Sequence, residues 1–111
     1  MNSQWPKPGV KILADVSGEG PELRKGDRVR VRYAIRLNHG DCVRDDETVE
    51  FTIGDREFVA GFRYGLERMR VGGTRVFRAS PHLCYRDEAL PAVPKNAVLV
   101  FEIKQVELIE G

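Results

Sequence analysis

Residues 28–37 constrain this chain more than any other stretch. Val29, Val31, Tyr33, Ile35 and Leu37 fall on one side of an extended backbone, and Arg28, Arg30, Arg32 and Arg36 fall on the other. Successive side chains of a strand point to opposite faces, so a strict period of two gives one face to bury and one to leave in water. That is the pattern of a half-buried antiparallel strand.

Other segments read around this one. Val10, Ile12, Ala14 and Val16 alternate imperfectly with Lys11, Leu13 and Asp15, which predicts a first strand. Ser17 to Pro21, Arg24 to Asp27 and Asn38 to Asp41 carry turn residues. Val49, Phe51 and Ile53 alternate with Glu50 and Thr52, a third strand that Gly54-Asp55 ends. The period then changes. Phe58, Val59, Phe62, Leu66 and Met69 recur at helical spacings, but Gly61 and Gly65 weaken the helix, which is expected to be short and held by packing. Gly72-Gly73 stops it. Thr74 to Ala79 is a strand with Phe77 inward, and a loop with three prolines runs from Ser80 to Asn96. In the final strand, Val98 to Ile109, Leu99, Phe101 and Ile103 share a face, and Val106 and Leu108 sit on the opposite phase. That shift predicts a bulge near Lys104-Gln105. One short helix cannot cover both faces of a sheet. The expected fold is α+β, an antiparallel sheet of five to six strands wrapped on that helix.

Length and charge narrow the function classes. A chain of 111 residues has room for one core, so residues 10–111 are read as one domain and 1–9 as a loose lead-in. No apolar run is long enough to span a membrane, and Met1 to Gly9 has no signal-like apolar stretch. Basic residues number 18 against 17 acidic, so a strongly basic nucleic-acid binder is not the default. The arginine face is a rival to that conclusion, because phosphate contacts need such charges. Glu102 and Glu107 on the final strand are expected to pair with it instead. Cys42 and Cys84 do not make a disulfide framework and are expected to be free thiols, which fits a reducing, cytoplasmic location. With His39 and His82 they offer H-x-x-C and H-x-C spacings, which are not those of a zinc finger, and no metal or cofactor is expected. No Ser-His-Asp arrangement or phosphate-binding glycine loop stands out.

Several ordered motifs point further. Val49-Glu50-Phe51-Thr52-Ile53-Gly54 is followed by Phe58-Val59-Ala60-Gly61-Phe62, Gly65-Leu66-Glu67-Arg68-Met69 and Val71-Gly72. Later come Ser80-Pro81-His82-Leu83-Cys84-Tyr85, Val93-Pro94 and Leu99-Val100-Phe101-Glu102-Ile103. From Val10 to Glu110 the chain resembles the FKBP family of peptidyl-prolyl cis-trans isomerases. The resemblance implies the FKBP-like fold and an isomerase of X-Pro bonds that acts on proline-containing peptides and unfolded protein clients, with macrolides as further ligands. It implies a monomer without nucleic-acid or membrane partners.

Family positions carry over one at a time. Tyr33 matches the tyrosine of the long strand, and Phe62 stands where a pocket-floor tryptophan is usual. Phe58 and Val59 match the two apolar residues before the helix, and the Val59 N–H is the one that usually binds substrate. Tyr85 matches the loop tyrosine, Val93 the apolar residue before the loop proline, and Phe101 the aromatic of the last strand. The catalytic set implied is Tyr33, Val59, Phe62, Tyr85 and Phe101. The substrate-binding set is Val43, Asp45, Val49, Phe58 and Val93. Val43-Arg44 replaces a usual Phe-Asp pair, with Asp45 one residue on as the substitute carboxylate, and Val49 replaces an aromatic. These departures favour an alternative, a binding or chaperone module with weak turnover.

The chemistry needs no nucleophile or metal. Rotation about an X-Pro amide faces a barrier of roughly 18–20 kcal/mol because the planar C–N bond must twist. Twisting breaks resonance and makes the amide less polar, so a dry apolar cup favours the twisted form relative to water. A few fixed donors then select one geometry.

Overall fold

A computed structural model describes residues 5–56, 58–85 and 93–109. The long alternating segment becomes β2 (Arg28–Leu37), flanked in one antiparallel sheet by β3 (Cys42–Thr52) and β5 (Leu99–Leu108). β4 (Thr74–Ala79) and β1 (Val10–Val16) complete the order β1-β4-β5-β2-β3. Helix α1 (Ala60–Gly65) lies against the buried face, and a single 3-10 turn spans Pro81–Leu83. Val29, Val31, Tyr33, Ile35 and Leu37 are all buried, as the period requires.

The bulge in β5 falls where the phase shift put it. Arg32 pairs with Gln105 and Tyr33 with Ile103, so Lys104 is the extra residue. It re-phases the strand and returns Val106 to the core at 1% exposure.

Two elements differ from their expected extents. β3 begins at Cys42 rather than near Val49. Residues 42–48 are mostly polar and exposed because they form an edge strand, so no alternation marks them. Register shifts beside Val43 and at Asp45-Asp46 interrupt the pairing, and Asp46 adopts φ 59°. Such irregularities blunt an exposed sheet edge. Helix α1 is shorter than the apolar spacing suggests. Val59 is still extended (φ −61°, ψ 151°), and Leu66 already ends the helix. The glycines have a packing reason: a Cβ on Gly65 would lie 2.0 Å from the Phe77 ring, and one on Gly61 would lie 2.7 Å from the Ala79 Cβ. They let the helix backbone rest directly on β4.

The wet face of β2 is paired. Arg30 bridges Glu50 at 2.7 Å and Glu107 at 3.3 Å, Arg36 reaches Glu102 at 3.6 Å, and Arg32 holds Asp46 through two hydrogen bonds. The Arg32 contacts hold the Asp46 carboxyl below its ordinary range. This ladder uses the arginines within the sheet rather than leaving them for phosphate. Exposed pairs add little stability, but they fix which face stays in water.

The lead-in is docked from Trp5 onward. Lys7 bridges Glu67 at 2.8 Å, and Trp5 lies against the guanidinium of Arg75, 5.3 Å from its ring centroid.

Candidate active site

Phe62 is the hub of the candidate site. Its ring centroid lies 5.2 Å from Tyr33, 5.2 Å from Phe58, and 5.8 Å from both Phe51 and Phe101. These are tilted ring pairs at favourable spacing. The short helix presents Phe62 because Val59 and Phe58 arrive extended and Gly61 lets α1 approach the sheet. Phe62 is 3% exposed and forms the floor.

The other positions divide into support and rim. Phe101 is 1% exposed and stacked on Phe77 at 5.1 Å, so it backs Phe62 rather than offering surface. Phe51 supports Phe58 at 4.9 Å in the same way. Val93 is buried in the same cluster. Val43, Val49, Phe58, Val59 and Tyr85 are half-buried against that core. The Val59 carbonyl accepts from the Phe62 and Arg63 N–H groups, while its own N–H has no acceptor among the described residues. That leaves a fixed donor at the entrance to α1.

Tyr33 and Tyr85 lie within electrostatic reach of each other. Burial pushes the Tyr33 phenol up; Arg44 pulls it down, and Glu47 and Tyr85 push it up further. The net rise keeps it a neutral donor to higher pH than an ordinary tyrosine. The Cys84 thiol, half-buried near α1, is pushed up to about 11 by burial and is inert near neutrality. Among the described residues no group of three or more His, Cys, Asp or Glu side chains could hold a metal ion.

Asp45 is not brought into the cup. It is exposed and lies at the register shift between Arg44 and Glu47. Arg44 pairs with Ile35, and Glu47 pairs with Tyr33. Directly paired residues share a sheet face, so both charges stand on the cup side of β3 at the rim. Glu47 was missed by the sequence reading, because finding it requires β3 to extend back to Cys42. Residues 86–92 of the proline-bearing loop lie outside the described residues.

A five-stranded antiparallel sheet carrying an aromatic cup over one short helix defines a fold class. The crystal structure of AtFKBP13 shares it, with a TM-score of 0.75 and 27% identity, covering 86% of this chain and 88% of that one. The family model described as FKBP-type peptidyl-prolyl cis-trans isomerase matches residues 20–106. FK506-binding protein 4 of Chaetomium thermophilum is 36% identical over an alignment of 112 residues, covering 93% of this chain and 23% of its own length. The 39 kDa FK506-binding nuclear protein of Drosophila melanogaster is 37% identical over 101 residues, covering 86% of this chain and 28% of its own. The chain belongs to the FKBP-type peptidyl-prolyl cis-trans isomerase family. It spans about a quarter of the length of these two relatives.

Proposed function

We propose that this chain accelerates cis-trans rotation of X-Pro bonds in exposed peptide segments. The observation that carries the proposal is the ring cluster of Tyr33, Phe58 and Phe101 centred on Phe62, in a chain of this family. The proline ring would sit over Phe62 against Phe58 and Val59. The amide, losing polarity as it twists, would lie in the driest part of the cup, and the donors would hold the flanking carbonyls. The test is a protease-coupled assay on a Leu-Pro peptide. A rate above buffer is expected, and a rate equal to buffer overturns the proposal. The Tyr33 phenol stays protonated, so kcat/KM should be flat from about pH 6 to about pH 9. A falling limb inside that window would assign the step to a titrating group.

Unfolded proline-containing clients, monomeric action and a cytoplasmic location belong to the same proposal. Two free thiols, Cys42 and Cys84, support the location. The relatives named for binding FK506 support a macrolide as a ligand of the cup. Arg44 and Val49, standing where a carboxylate and an aromatic are usual, predict weaker macrolide binding.

The charged rim should set substrate preference. Arg44 makes no ion pair among the described residues, so it can meet an acidic residue near the proline. Arg44→Glu is expected to lower kcat/KM for a Glu-Pro peptide several-fold relative to Lys-Pro. Leu-Pro turnover should change little. Unchanged ratios would remove Arg44 from the substrate path.

A further inference from the structure

Among the described residues, Arg75 is the one charged side chain that is buried, at 3% exposure. It stands on β4, directly opposite Asp15 of β1 and Ile103 of β5. Its guanidinium works in two directions. Nε and Nη2 donate to the two Asp15 carboxylate oxygens at 3.0 and 3.4 Å. Nη1 donates to the Gly65 and Glu67 carbonyls at 2.8 and 2.6 Å, where α1 ends.

We propose that Arg75 is a positioning residue for the isomerase cup, fixing the end of α1 so that Phe62 stays at the floor. The proposal rests on the isomerase reading above.

The helix is the first argument. Helix α1 has six residues, two of them glycine, and no side-chain cap at Val59. A helix that short does not hold itself. Its last carbonyls need partners from elsewhere. Those of Arg63 and Tyr64 accept from the Leu66 and Glu67 N–H groups, and that of Gly65 accepts from Arg75. Gly61 and Gly65 set how closely α1 approaches β4. A steric contact of that kind does not set the turn of the helix about its own axis, whereas directional hydrogen bonds do. Phe62 stands three residues before Gly65, so a turn at that end carries the Phe62 ring with it.

The second argument is cost. Taking an ion pair out of water is expensive, and packed apolar side chains of similar volume often stabilise as well or better. Stability alone therefore gives little reason for an arginine here. An apolar residue cannot supply the rigid planar fork. That fork joins β1 to the end of α1 through β4, and the Trp5 ring lies over it.

The experiment measures kcat and KM of the full chain on a Leu-Pro peptide, with each variant held equally far below its own thermal midpoint. Arg75→Lys keeps the charge but cannot serve Asp15, Gly65 and Glu67 together. Its kcat should fall at least about tenfold while KM stays within about twofold, the mark of a lost transition-state geometry. Val106→Ala is the control, a core truncation on β5 beyond the bulge. It should lower the midpoint and leave kcat near that of the parent chain. If Arg75→Lys does not fold, Asp15→Asn replaces it. That side chain is 37% exposed, and loss of its charge should loosen the fork and lower kcat about threefold. Parent-like kcat in a folded Arg75→Lys or, in its stead, Asp15→Asn overturns the proposal. An equal loss in Val106→Ala overturns it too, because the effect would then be one of stability. A parent chain without turnover removes the isomerase reading and this proposal together, whereas an active parent with an equally active Arg75→Lys removes this proposal alone.

Discussion

Replacing Phe62 with alanine is expected to abolish X-Pro turnover and to lower stability by about 3–5 kcal/mol. The ring touches Tyr33, Phe51, Phe58 and Phe101, so its loss opens a cavity under all four. A domain has only about 5–15 kcal/mol of stability to lose, so part of the population should stay folded in the cold. Phe62→Leu separates the two effects. It keeps an apolar side chain under the cup and should recover most of the stability, but it offers no flat ring to the proline and should remain slow. The checks are a denaturant midpoint and a protease-coupled rate on the same samples. Full turnover by Phe62→Leu would show that the floor needs only to be apolar.

The second large effect is expected at Gly65. Alanine is favoured over glycine in a helix by about 1 kcal/mol, and propensity alone would make Gly65→Ala stabilising. The structure reverses the sign. The new methyl would sit 2.0, 2.1 and 2.4 Å from three atoms of the Phe77 ring. Phe77 has no exposed surface and is stacked on Phe101, so the ring has nowhere to move. Overpacking of this kind costs about 1–3 kcal/mol and at times more, and here the overlap puts it at the upper end. The denaturant midpoint should fall, and turnover should fall with it, because the same helix presents Phe62. A midpoint at or above that of the parent chain would mean that α1 stands further from β4 than described.

Legibility in the sequence followed burial. β2 was readable because its residues alternate between core and water throughout except at the buried Ala34, and the β5 bulge was readable because the alternation changes phase at Lys104. The edge portion of β3 was not, since residues 42–48 bury almost nothing and so carry no period. The helix was readable as a helical spacing but overextended. Phe58 and Val59 share that spacing while lying in extended backbone, brought to the same cluster by the approach to α1. In the candidate site, the aromatic members Tyr33, Phe58 and Phe62 come together, whereas Asp45 stays exposed and the charges facing the cup are Arg44 and Glu47.

By itself the sequence determined the sheet, its wet and dry faces, the single short helix and the family, because these rest on local alternation and on ordered motifs. Tertiary structure alone decided which carboxylate pairs beside Tyr33, why Gly61 and Gly65 stand in the helix, and that Trp5 packs over the buried Arg75. The physical reason is range. Alternation and turn chemistry act between neighbours in the chain, whereas register at an edge strand, steric room for one methyl and the gathering of Trp5, Asp15 and Gly65 around Arg75 depend on segments far apart in sequence.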